Sequence, residues 1–241
     1  MFSPEGPTLR ELAVQALSSV ERGYDLLAPK FDHTPFRTPD PVLDAVAAAL
    51  RRTGPYGEGL DLCCGTGAGL GVLAEVCRSG ATGVDFSAGM LAEARRRTDV
   101  TGPRVSFVRA DARALPFASA FDLVVSFGAF GHFLPRELPG LFRQVHRVLR
   151  PGGTFAFPVL APPRPAHPAF WMLLGFDAVM RVRNALWRPP FVMYYRAFRL
   201  GDVRRELERA GFAVDLYALP EFGRRDDGSP RVRMVAARRT S

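Results

Sequence analysis

The stretch Gly59–Gly71, reading GLDLCCGTGAGLG, constrains this chain more than any other part of it. Leu60, Leu62, Cys63 and Cys64 suit a short buried strand, and Asp61 sits inside it as the one charge. Gly65, Gly67 and Gly69 then fall at alternate positions, and the apolar run Leu70–Cys77 continues as a helix. Glycines at a strand-to-helix turn reach positive φ and let a ligand approach bare backbone. The helix N-terminus presents unpaired N–H groups to that ligand.

Around this turn, strand and helix patterns alternate. Thr8–Arg22 reads as an amphipathic helix, the Pro- and Asp-rich stretch after it as an ordered loop, and Pro41–Arg52 as a helix capped by Asp40. Ala81–Asp85, Val105–Arg109, Phe121–Phe127 and Thr154–Leu160 are short β-branched or aromatic runs. Helical segments Ser87–Arg97 and Pro135–Leu149 lie between them. Such alternation calls for parallel strands with right-handed crossovers. Near the end, Asp202–Ala210 is helical, and Phe212–Leu219 and Arg231–Ala237 are strands joined by a loop short enough for an antiparallel hairpin. The segment Ala161–Leu200 breaks the rhythm: a proline-rich entry leads into a largely apolar helix, and this is the most aromatic part of the chain.

The spacing D-x-x-x-G-x-G-x-G, carried by Asp61, Gly65, Gly67 and Gly69, resembles the first motif of the class I S-adenosylmethionine-dependent methyltransferases. The nicotinamide fingerprint G-x-G-x-x-G would need its third glycine where Leu70 stands. Cys63 occupies a position where that family frequently has glycine. The resemblance extends over Tyr24–Leu160 and implies a Rossmann-like α/β fold. That fold is a seven-stranded, mostly parallel sheet with helices on both faces and an antiparallel C-terminal hairpin. It also implies S-adenosylmethionine as cofactor, and together with the aromatic break at Ala161–Leu200 the chain reads as four parts. These are an N-terminal helix and lid (1–40), a cofactor-binding core (41–160), a substrate-cover insert (161–200) and a C-terminal completion of the sheet (201–241).

In open α/β sheets ligands bind beyond the carboxyl ends of the strands, so each strand end is a place to look. Asp85 ends the second strand and is suited to a ribose diol, with Phe86 following it. By resemblance, Asp111 accepts a hydrogen bond from the adenine amine, Ala112 offers its N–H to a ring nitrogen, and Asp61 orients the methionine ammonium. Phe127 and Phe130, in SFGAFGHF, would wall the methionine end of the cofactor or the substrate pocket. His132 stands near them as a candidate general base, with local packing as its alternative role. The segment YDLLAPKFDHTPFR resembles the lid of the ubiquinone/menaquinone group of small-molecule methyltransferases. That places Tyr24 and Arg37 near the cofactor carboxylate. Trp171, Tyr194 and Tyr195 are the candidate substrate-binding aromatics of the insert.

With 241 residues and 47% hydrophobic content, the chain can bury a full core. The N-terminus reads as no signal peptide and no stretch approaches a membrane span, so a cytoplasmic protein is expected. Three cysteines without C-x-x-C spacing point to reduced thiols and no metal. The net charge of +8 is almost all arginine, spread over many elements, which makes a nucleic-acid partner unlikely on pattern. The expected reaction is methyl transfer to an apolar or aromatic small molecule. An RNA or protein methyltransferase and a catalytically silent cofactor-binding module stand as alternatives.

Overall fold

The computed structural model describes residues 5–98, 104–189, 191–194 and 199–240. The N-terminal region holds α1 (Leu9–Leu17), α2 (Val20–Leu27), a 3-10 turn (Ala28–His33) and α3 (Asp40–Thr53). The sheet-forming chain then runs β1 (Tyr56–Leu62), α4 (Ala68–Val76), β2 (Cys77–Asp85), α5 (Ala88–Arg97), β3 (Arg104–Arg109), β4 (Phe121–Val125), α6 (Leu138–Val148) and β5 (Leu149–Leu160). Helix α7 (Pro168–Leu186) follows, then α8 (Leu200–Arg209), β6 (Phe212–Ala218) and β7 (Val232–Arg239).

The seven strands form one sheet in the order β3-β2-β1-β4-β5-β7-β6. The first five are parallel, and β7 pairs antiparallel with both β5 and β6. Both faces are buried, and the side-chain period of two sorts residues between them. Val124, Phe155, Phe157 and Val235 pack on one face with Phe142 of α6 and Leu207 of α8. Leu123, Val125, Ala156 and Met234 pack on the other with Leu50 of α3 and Leu73 of α4. Each fully buried side chain of this size contributes about 1.5–3 kcal/mol, so the sheet is the rigid base on which the strand ends are held. The expected fold is the one observed.

Local differences have local causes. The single helix expected over Thr8–Arg22 is two, because Ser18 takes extended dihedrals and Ser19 caps a new helix through the Arg22 N–H. Helix α2 and the 3-10 turn therefore fill much of what reads as loop. Asp40 lies in the first turn of α3 rather than capping it, and it hydrogen-bonds Arg37 at 2.6 Å.

Candidate functional site

Parallel pairing brings the carboxyl ends of β1, β2, β3 and β4 to one edge: Leu62 is level with Val84, Asp85 with Arg109, and Asp61 with Val125. The glycine loop and the turns after each strand meet there. Cys63, directly after β1, has φ 57°. An L-residue in this left-handed region is strained by about 1–2 kcal/mol, which explains why glycine suits the position. Burial, then Asp85, Asp61 and Asp111, push its thiol well above the usual range, with Arg113 acting the other way. One small side chain thus senses all three carboxylates that sequence placed at the strand ends. Cys63→Gly is expected to stabilise the protein by about 0.5–1 kcal/mol, the strain relief less the backbone entropy of glycine, whereas Cys63→Val should destabilise it. Denaturant midpoints for the two variants check this, and a less stable glycine variant would contradict it.

Asp61 is buried, and its Oδ2 has no hydrogen-bond partner among the described residues. Burial pushes its carboxyl up to about 8, Asp85 adds to the rise, and the N–H groups of Gly69 and Leu70 oppose it. Gly69 is needed here for space: a Cβ on it would lie 2.5 Å from Asp61 Oδ2. Gly67 begins α4 in the left-handed region, at φ 94°. Asp85 is also buried, and its two oxygens accept from Gly65 N and Ser87 N, each at 2.9 Å. A carboxylate has about four acceptor positions, and the Phe86 N–H lies against Asp85 as a third backbone donor, so one position remains for a ligand. Burial moves Asp85 upward, opposed by those backbone donors. Asp111 is half exposed, accepts from Arg113 N at 2.8 Å and faces the Arg113 guanidinium at 3.2 Å, while Ala112 is buried beside it.

The N-terminal segment is fastened over this edge. Asp25 Oδ1 accepts from Ser87 Oγ at 2.6 Å and from Gly89 N at 2.8 Å, at the start of α5. Asp32 accepts from Thr66 Oγ1 at 2.6 Å in the glycine loop, and it pairs with Arg97. Arg37 lies 3.8 Å from Asp32 and is committed to Asp40. Asp25, Asp32, Thr66 and Arg113 escaped the sequence reading, although the Y-D pair in YDLLAPKFDH was a signal for the first of them.

The Tyr24 hydroxyl meets His132 Nε2 at 2.8 Å, while His132 Nδ1 meets the Val192 carbonyl at 2.8 Å. A carbonyl only accepts, so Nδ1 carries the proton and Nε2 accepts from Tyr24. Burial lowers the affinity of His132 for a second proton, the Val192 bond opposes that, and Arg113 adds to the lowering. Around the pair, Phe191, Met193 and Tyr194 pack with Tyr24, Phe36 and Met180. Asn184 ties this segment to α7, donating to Phe191 O and accepting from Phe191 N. Tyr194 N donates to Gly131 O at 2.8 Å.

Among the proposed aromatics, Tyr194 therefore belongs to the group around His132. Phe130 is buried in the core against Phe155 and Phe157. Trp171 lies outside, 61% exposed, donating to Pro165 O. Phe127 is partly buried against the core, and the carbonyl of Phe86 accepts from Arg109 Nε. Tyr195 lies outside the described residues.

Comparison with known proteins shows which family the chain belongs to. A family model described as a methyltransferase domain matches residues 60–153. A demethylmenaquinone methyltransferase of Thermus thermophilus is 40% identical, over 68% of this chain and 77% of its own length. The chain belongs to the class I S-adenosylmethionine-dependent methyltransferases. A 2-phytyl-1,4-naphtoquinone methyltransferase of Nostoc punctiforme is 35% identical, over 64% of this chain and 71% of its own length. The crystal structure of an S-adenosylmethionine-dependent methyltransferase from Mesorhizobium loti superposes with a TM-score of 0.58 and 27% identity, covering 82% of this chain and all of that one. The protein is thus an enzyme, and S-adenosylmethionine is its cofactor. The residues present fit it: a buried, unpartnered carboxylate oxygen suits a cationic N–H donor, and Gly69 leaves no Cβ in the space beside it.

Proposed function

We propose that this methyltransferase acts on a lipophilic, hydroxylated aromatic ring of the naphthoquinol type. The observation that carries the proposal is the half-buried Tyr24–His132 pair set among Phe36, Phe191, Met193 and Tyr194. An apolar ring would find dispersion contacts there, and its hydroxyl a polar partner in the Tyr24–His132 pair. The quinone methyltransferases among its relatives support the same acceptor class.

S-adenosylmethionine supplies a methyl group on a sulfonium, already a good leaving group. Asp61 would hold the cofactor's ammonium, Asp85 its ribose hydroxyls, and Asp111 with Ala112 its adenine. Gly65, Gly67 and Gly69 would admit it to the backbone, with Phe86, Phe127 and Arg37 at its margins. Residues 1–40 and 161–200 would act as lid and substrate cover over the 41–160 core, and 201–241 would complete the sheet. The protein's main contribution is alignment and exclusion of water, and alignment can supply about 7–11 kcal/mol in favourable systems. One proton leaves the acceptor for each methyl cation gained. Tyr24 would take it from the ring hydroxyl while giving its own to His132 Nε2, with the Nδ1 proton kept on the imidazole and donated to the Val192 carbonyl.

The test is methyl transfer from labelled S-adenosylmethionine to a short-chain demethylated naphthoquinol, compared with bulk RNA and a protein extract. Label in the quinol alone is expected. Label in RNA or protein, with none in quinols, would replace this reading by one of the alternatives.

A further inference from the structure

Helix α7 is turned with its apolar side outward. Its inward stripe holds Asp177 and Met180, both buried, together with Arg183 and Asn184. Arg183 donates to the carbonyls of Ala16 at 2.8 Å and Ser18 at 3.1 Å, at the end of α1. Outside lie Trp171, Met172, Leu174, Val179, Val182 and Leu186, and Trp187 follows; Val179 is 65% exposed and Leu186 80%. Leu17 sits between the two carbonyls that hold Arg183 and is exposed as well, so the apolar surface continues onto α1. An exposed apolar face of this extent requires an occupant. No helix among the described residues is long and apolar enough to cross a membrane.

Charge selects the occupant. On and after α7 the exposed arginines are Arg181, Arg188 and Arg199, and the one carboxylate between Trp171 and Arg199 in the sequence is the inward-facing Asp177. The carboxylates of the adjoining helices are already engaged, Glu11 by Lys30, Glu21 by Arg109 and Asp25 by Ser87. Arg188, beside Trp187, is exposed. Two copies of this face pressed together would set arginine against arginine and offer no exposed acid from α7. Anionic phosphates above an acyl layer satisfy both properties: the apolar side chains enter the acyl boundary and the guanidiniums meet the headgroups.

We propose that the outer face of α7, continued by Leu17, seats the enzyme on an anionic lipid surface. The inference extends the proposed lipophilic acceptor: Asn184, on the same helix, holds Phe191 and hydrogen-bonds the Tyr194 hydroxyl, so the face lies one helix thickness from the candidate acceptor site.

The experiment is flotation of the full chain with vesicles of phosphatidylcholine alone or mixed with phosphatidylglycerol, free of any quinone. Partitioning is expected to be roughly tenfold or more stronger on the anionic vesicles and to weaken as salt is raised. Val179→Glu/Leu186→Glu should abolish it, while S-adenosylhomocysteine affinity is unchanged and certifies the fold. Equal partitioning of wild type and double variant, or no partitioning of either, overturns the proposal. So does a wild-type dimer in analytical ultracentrifugation that the double variant dissolves. Vesicles without quinone separate the two readings. Quinol methylation without flotation removes only the lipid surface, and flotation without quinol methylation removes only the acceptor.

Discussion

Asp61→Asn is expected to weaken S-adenosylmethionine binding by roughly ten- to a hundredfold, the range of losing one hydrogen bond between charged partners. The same change should improve the cofactor-free protein at alkaline pH. The Asp61 carboxyl stands at about 8 in the folded chain because it is buried near Asp85, against roughly 4 when unfolded. The folded state therefore holds a proton that the unfolded chain has lost. Stability from this group is complete below about pH 4 and declines as pH climbs to about 8. Asparagine removes that decline, so the variant's advantage should widen from pH 5 to pH 8. A cationic donor on Oδ2 favours the ionised form, so wild-type cofactor affinity should rise with pH over the same window and the variant's should not. Calorimetric titration at several pH values, beside denaturant unfolding at pH 5 and pH 8, measures both. Unchanged affinity in Asp61→Asn would move the ammonium elsewhere. An unchanged pH slope of stability would mean the carboxyl ionises normally in the fold.

The second large effect concerns proton removal. Tyr24→Phe and His132→Asn should each lower turnover by about 10²–10⁴-fold, the usual contribution of a positioned base. Cofactor affinity should hold in His132→Asn, because the imidazole is bonded to Tyr24 and Val192 and not to the strand-end carboxylates. The pH profile separates chemistry from packing. Burial draws the protonation of His132 below its ordinary 6.5, so the imidazole is neutral and able to accept at pH 7. Wild-type kcat/KM should therefore be flat through neutrality and fall only below about pH 6.5. His132→Asn should lose that acid limb along with the rate. Full turnover in Tyr24→Phe would show that the acceptor proton leaves by another route. A surviving acid limb in His132→Asn would assign the titration to a different group.

The half-buried His132 also bears on folding, with the sign opposite to that of Asp61. The unfolded imidazole takes a proton near pH 6.5 and the folded one resists it, so its influence is destabilising as pH falls below that point. The enzyme is squeezed from the alkaline side by Asp61 and from the acid side by His132.

The glycine-rich loop was readable because its constraints are local. Gly67 and Gly69 answer to a dihedral and a close approach within a few residues, and Asp85 is separated from Gly65 by one helix and one strand. The strand ends followed from the same rule, since parallel strands of period two deliver their last residues to one edge. Cys63 was legible as a departure from glycine, and its positive φ is the reason for the family's preference.

Position in sequence alone determined the sheet, the glycine loop and the three aspartates gathered near it, because dihedrals, alternation and crossover handedness act over short stretches. Only the tertiary structure decided the partnership of Tyr24 with His132, 108 residues apart, whose alternatives were a carboxylate contact and a local one. It decided as well that Phe130 belongs to the core and Trp171 to the surface, since an aromatic side chain is equally at home in either until its neighbours are known. Helix α7 makes the same point most strongly. Its apolar content announced burial, yet the fold buries Asp177 and Met180 and hands Val179 and Leu186 to the outside. Periodicity describes which residues share a face of a helix, and only packing against α1 and the segment 191–194 determines where that face looks.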